Sequence, residues 1–93
     1  MKIKNAVEKF RLQNPSTPED LGMRWSMVVP FGDKVLLPIG FYNGKGKPCW
    51  AAVVYEYLTD DHTIEGTVGI REVSDVEFMD EGHALKWAME HCD

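Results

Sequence analysis

The stretch CWAAVVYEYL, residues 49–58, carries a single charge among apolar and aromatic residues. A run of this length, rich in valine and aromatic side chains and bounded by turn residues, spells a buried strand. On its N-terminal side Asn43-Gly44-Lys45-Gly46-Lys47-Pro48 is a glycine-rich turn. Before that turn, KVLLPIGFY at 34–42 is a second apolar strand. Pro38 inside it has no N–H for the ladder, which predicts an edge position or a bulge. Gly32-Asp33 supplies a tight turn, and Met23, Trp25, Met27 and Val29 alternate with Arg24, Ser26 and Val28 in a further strand. On the C-terminal side Thr59-Asp60-Asp61-His62 turns the chain into TIEGTVGIREV at 63–73, a fourth strand. All three connections are short, so neighbouring strands pair as antiparallel hairpins in a meander.

Helical signals lie at both ends. Ile3, Ala6, Val7 and Phe10 recur at the spacing of one helix face, predicting a helix over 3–13 that Asn14-Pro15 stops. Ser16-Thr17-Pro18-Glu19-Asp20 is a second helix start, with Gly22 ending it after about one turn. A last helix is expected from about 80 to 92, with Asp80 as N-cap and Glu81 at the positive end of the helix dipole. Ala84, Leu85, Ala88 and Cys92 form its apolar stripe, with Trp87 beside it. The expected fold is a single α+β domain over 1–93, with a helix at each end and both packed on one face of a four-stranded antiparallel meander.

Closing the third hairpin between Asp60 and Asp61 sets Tyr57 opposite Ile64, Tyr55 opposite Gly66, Val53 opposite Val68 and Ala51 opposite Ile70. None is charged, so this face should hold the helices. The other face then pairs Glu56 with Glu65, a like-charge contact, and Trp50 with Arg71, a cation–π contact. The strands at 34–42 and 49–58 are apolar on both faces. Two helices on one face would leave the other bare, which points to a homodimer through the sheet, with a sheet curled over its own core as the monomeric alternative.

The charge is split along the chain. Residues 1–48 carry eight Lys/Arg against four Asp/Glu, and residues 49–93 carry two against eleven, giving the net −5. The acidic half reads as an interaction surface for a basic protein partner. Its members are Glu56, Asp60, Asp61, Glu65, Glu72, Asp75, Glu77, Asp80 and Glu81, with Trp50 and Arg71 on the same strands. The order of elements is similar to the helix–strands–helix of double-stranded-RNA-binding domains. Such domains place basic residues at the start of their last helix, where this chain has Asp80 and Glu81.

Chemical motifs are sparse. His83 and His91 are two helical turns apart, and Cys49 and Cys92 match no metal or redox spacing. NGKGKP at 43–48 lacks the spacing of a phosphate loop and precedes a strand rather than a helix. Cys49 sits in an apolar strand, an environment for an inert thiol. No metal, cofactor or catalytic residue is therefore expected. No apolar run reaches the ~20 residues that cross a bilayer, and the lysines of MKIKNAVEKF precede no apolar block. The resulting expectation is a cytoplasmic, non-enzymatic binder or inhibitor of a basic partner, one that processes nucleic acid being among the candidates. A nucleic-acid-binding module is the alternative, and a small enzyme with an unrecognised site the second alternative.

A net charge of −5 opposes the phosphate backbone. Gel shifts with duplex DNA, duplex RNA and single strands at low salt should show binding no tighter than about 1 μM. Sub-micromolar retention of any of them would contradict this reading.

Overall fold

A computed structural model describes residues 3–92. Its elements run α1 (Ile3–Phe10), α2 (Pro18–Arg24), β1 (Val29–Phe31), β2 (Lys34–Tyr42), β3 (Pro48–Tyr57), β4 (Val68–Val73) and α3 (Glu81–Glu90). The strands form one antiparallel sheet in the order β1-β2-β3-β4. The α+β class and the meander between terminal helices are as expected. No helix among the described residues is long and apolar enough to cross a membrane.

The expectation that the helices share one face is corrected. On one face Val35, Leu37, Ile39, Ala51, Val53 and Tyr55 pack against Ala6, Phe10, Leu12 and Leu21. On the opposite face Leu36, Ala52 and Val54 pack against Ala84, Ala88 and Cys92. The sheet is therefore the middle of three layers. Strands covered on both sides are apolar on both sides, which accounts for the near-continuous apolar runs of β2 and β3. The second face, whose bareness motivated a dimer, is covered by α3 of the same chain.

Local chemistry sets the helix ends. Arg11 has φ 55, and the Leu12 N–H donates to the Val7 carbonyl at 3.1 Å. This six-to-one bond closes α1 at Phe10, short of residue 13, with an arginine in the left-handed position glycine usually takes. Thr17 caps α2 by accepting from the Asp20 N–H, and Pro18 fills the first helical position. The helix then runs past Gly22 to Arg24, where Trp25 turns extended. The alternation at 23–29 is thus mostly not a strand: Met23 is helical and 82% exposed, and β1 starts only at Val29. It pairs with β2 as far as Leu36. Pro38 follows, where β2 has become the sheet edge, as a proline demands.

The third hairpin is also corrected. Tyr57 pairs with Val68 instead of Ile64, and Tyr55 with Ile70 instead of Gly66. Residues 58–67 form a ten-residue excursion closed by the Leu58 N–H to the Thr67 carbonyl at 2.8 Å. Gly66 lies so close to Asp61 that a Cβ would overlap its carbonyl oxygen, and the Glu19 N–H of α2 donates to Ile64. The four-residue shift is even. It therefore changes partners without changing faces, and Ala51, Val53, Tyr55 and Tyr57 keep the face assigned to them.

Beyond a bulge between Val54 and Tyr55, Val53 pairs with Val73. The chain then leaves the ladder through Ser74. Its N–H donates to the Ala52 carbonyl at 2.8 Å, and its hydroxyl accepts from the Ala52 N–H at 2.9 Å. The hydroxyl stands where a strand carbonyl would, and it donates onward to Val76. Phe78 then exchanges two bonds with Trp50. Ser74 is 2% exposed, so its replacement would strand a buried N–H. Ser74→Ala should cost about 1–3 kcal/mol and lower Tm by roughly 4–8 °C per kcal/mol in a thermal melt.

Candidate functional site

The acids of the second half do not gather into one face. β3 ends beside the start of β2, where Glu56 pairs with Lys34. The excursion with Asp60, Asp61 and Glu65 therefore lies at that end of the sheet. Glu77 lies at the other end, where Asn43 of the β2–β3 turn reaches it at 3.5 Å. Asp80 caps α3, accepting from the His83 N–H at 2.7 Å, and that bond holds its carboxyl below the usual carboxylate range. Glu81 follows in the first turn.

Two pairings expected on the outer face do not form. Glu56 is opposite Gly69 rather than Glu65, and the Arg71 guanidinium lies 3.2 Å from its carboxylate. The like-charge contact is replaced by an ion pair because the hairpin register differs. Trp50 is bridged to Phe78 instead of facing Arg71, and its ring covers Gly40, where a Cβ would meet it at 3.0 Å.

Cys49 and Cys92 are free and buried. Burial pushes the Cys49 thiol up from its ordinary value, and Glu77 adds to the shift. The Cys92 thiol donates to the Ala88 carbonyl at 2.8 Å. Among the described residues no group of three or more His, Cys, Asp or Glu side chains could hold a metal ion.

An open groove of about 1120 Å³ lies beside the end of β4. Here the two helical layers overhang the same edge of the sheet. The start of α1 supplies Ile3, Lys4 and Asn5, the end of β4 and the following turn supply Glu72, Val73 and Asp75, and α3 with its C-cap supplies Trp87 and His91. The Trp87 and His91 rings stack with centroids 3.9 Å apart and an interplanar angle of 14°. The His91 Nδ1 lies 2.7 Å from the Trp87 carbonyl oxygen, which fixes the imidazole on the indole. Both rings are half-buried. Glu72 and Asp75 were singled out by charge. Trp87 and His91 were not, although their spacing of four along a helix is a signal for side-chain contact.

The match to known families spans residues 12–92. The chain belongs to the family described as nucleotide modification associated domain 4. The groove wall formed by Glu72, Asp75, Trp87 and His91 lies inside the matched span, and the α1 wall precedes it. Comparison with curated proteins and with solved structures finds no match.

The thiols give a direct check on the packing around Cys49 and Cys92. In the folded protein at neutral pH neither should react with a thiol-specific chromogenic disulfide over minutes, and both should react after denaturation. Rapid labelling of Cys49 in the native state would identify it as an accessible nucleophile.

Proposed function

We propose that this protein is a recognition module for a nucleobase-bearing small ligand, a nucleoside or nucleotide, bound in the groove beside β4. The observation that carries this reading is the Trp87–His91 stack in the groove wall. Stacked aromatic rings are a platform for a base, and base stacking on an aromatic side chain is worth about 1–3 kcal/mol. The lining around the stack mixes donors and acceptors, with Lys4 and Asn5 on one side and Glu72 and Asp75 on the other. A few polar groups around an apolar and aromatic floor are what fixes the orientation of a small ligand. The family description, which concerns nucleotide modification, supports the same ligand class.

The proposed role is binding without chemistry. Among the described residues no serine, threonine or cysteine lines the groove, and the His91 Nδ1 is engaged with the Trp87 carbonyl. A small ligand also fits the charge better than a polynucleotide does. Among the described lining residues one lysine faces two carboxylates, and the whole chain carries −5.

A second reading, an acidic docking surface for a basic protein, is favoured by the 58–67 excursion. Leu58 and Ile64 are exposed there among Asp60, Asp61 and Glu65. Reversing Asp60 and Asp61 to lysine would slow capture of such a partner and leave nucleotide binding unchanged.

Calorimetric titration with the four common nucleoside 5′-monophosphates tests the groove. Saturable one-to-one binding is expected for at least one. Trp87→Ala should weaken it roughly 5- to 100-fold, Trp87→Phe should retain most of it, and thermal melts should show all variants folded. Absence of binding at millimolar ligand, or full affinity in folded Trp87→Ala, would overturn the reading.

A further inference from the structure

We infer that the groove selects a base presenting two adjacent N–H donors, as guanine does, with Glu72 as the acceptor; this rests on the nucleotide-binding reading above. Glu72 is half-buried at the end of β4, and Asp75 is exposed one turn further on. Among the described residues neither carboxylate has a side-chain hydrogen bond or an ion pair. Three acids elsewhere are ion-paired, Asp33 with Lys34, Glu56 with Arg71 and Asp80 with His83; what sets Glu72 apart from the other unpaired carboxylates is its place in the wall of the groove. Partial burial of a carboxylate without a donor costs free energy that a ligand bringing donors would offset.

The chemistry of the acceptor narrows the ligand. An ionised carboxylate has two oxygens that accept in parallel from two donors side by side, and it donates nothing. On the pairing edge of guanine the ring N–H and the exocyclic amine are such neighbours. Adenine and cytosine set their amine beside a bare ring nitrogen, which would face the second carboxylate oxygen lone pair to lone pair. Uracil and thymine flank one N–H with two carbonyl oxygens, which repel the carboxylate in the same way. A base stacked along Trp87 and His91 with its edge toward β4 therefore satisfies both Glu72 oxygens only if it is guanine or carries the same donor pair.

The charge of the groove narrows it further. Lys4 is the lone cation against Glu72 and Asp75 among the described lining residues. A triphosphate adds charge of the same sign as the excess carboxylate. The nucleoside or monophosphate is the expected form, with the triphosphate weaker.

Calorimetry with guanosine, inosine, adenosine, cytidine and GTP separates the outcomes. Guanosine should bind roughly 5- to 100-fold tighter than adenosine or cytidine. Inosine, which lacks the exocyclic amine, should fall between, and GTP should bind more weakly than guanosine. Glu72→Gln places an amide donor against one of the base donors and offers adenine a donor for its bare ring nitrogen, so guanosine should lose its advantage while adenosine binds as well or better. A purely structural role for Glu72 would weaken all nucleosides equally. Equal binding of guanosine and adenosine, or a guanosine preference that survives in folded Glu72→Gln, would overturn the donor-pair inference and leave the nucleotide groove standing. Failure of every nucleoside and nucleotide to bind would overturn both. Should Glu72→Gln not fold, the guanosine–inosine–adenosine order on the unaltered protein decides alone.

Discussion

The burial of β2 and β3 on both faces is the constraint on which the rest of the structure depends. Leu36, Ala52 and Val54 point one way, and Val35, Leu37, Val53 and Tyr55 point the other, all shielded from water. No single helical layer can cover both sets. The chain therefore places its N-terminal helices below the sheet and its last helix above it. Apolar area removed from water contributes about 25 cal/mol per Å², so the alternative of leaving one face bare is the costlier. Small residues make the upper layer possible: Ala52 on the sheet meets Ala84 and Ala88 on α3, and their short side chains let the helix lie close to the strands.

That layering decides where a site can form. The connection from β4 to α3 has to pass from the sheet to its upper face, and it does so at Ser74, where a side-chain hydroxyl takes over from a backbone carbonyl. The strand stops early as a result, and the edge beyond it is bordered by α1 from one layer and α3 from the other. A groove at the rim of a three-layer structure is thus a consequence of covering both faces of a short edge strand. The other end of that edge, at the start of β4, is closed. Ser16 exchanges two backbone bonds with Val68, and the Asn14 side chain accepts from the Ile70 N–H.

Parts of the candidate site were legible beforehand. Glu72 and Asp75 stand out as acids in a half of the chain that carries few cations, and Trp87 and His91 sit four apart on a segment with clear helical signals. Lys4 and Asn5 carry no such mark. They join the groove because α1 packs beneath the sheet and its first turn reaches the end of β4, a contact between residues some seventy positions apart. The pairing of Glu56 with Arg71 was hidden for a related reason. It depends on a hairpin register set by the close approach of Gly66 to Asp61 and by the hold of α2 on Ile64. Both are tertiary facts that turn residues alone do not announce.

Local chemistry determined the class of fold, the glycine turn at 43–48, the proline edge in β2 and the caps of α2 and α3. Each of these is decided within a few residues, by a missing N–H, a hydroxyl or carboxylate near free amides, or a run of apolar side chains. The tertiary structure decided the second layer, the length of the 58–67 excursion and the convergence of α1, β4 and α3 on one groove. A two-sided apolar strand is compatible with a partner chain, a curled sheet or a helix of its own. Which of these covers it depends on the path of the chain after β4, and Ser74 directs that path across the sheet.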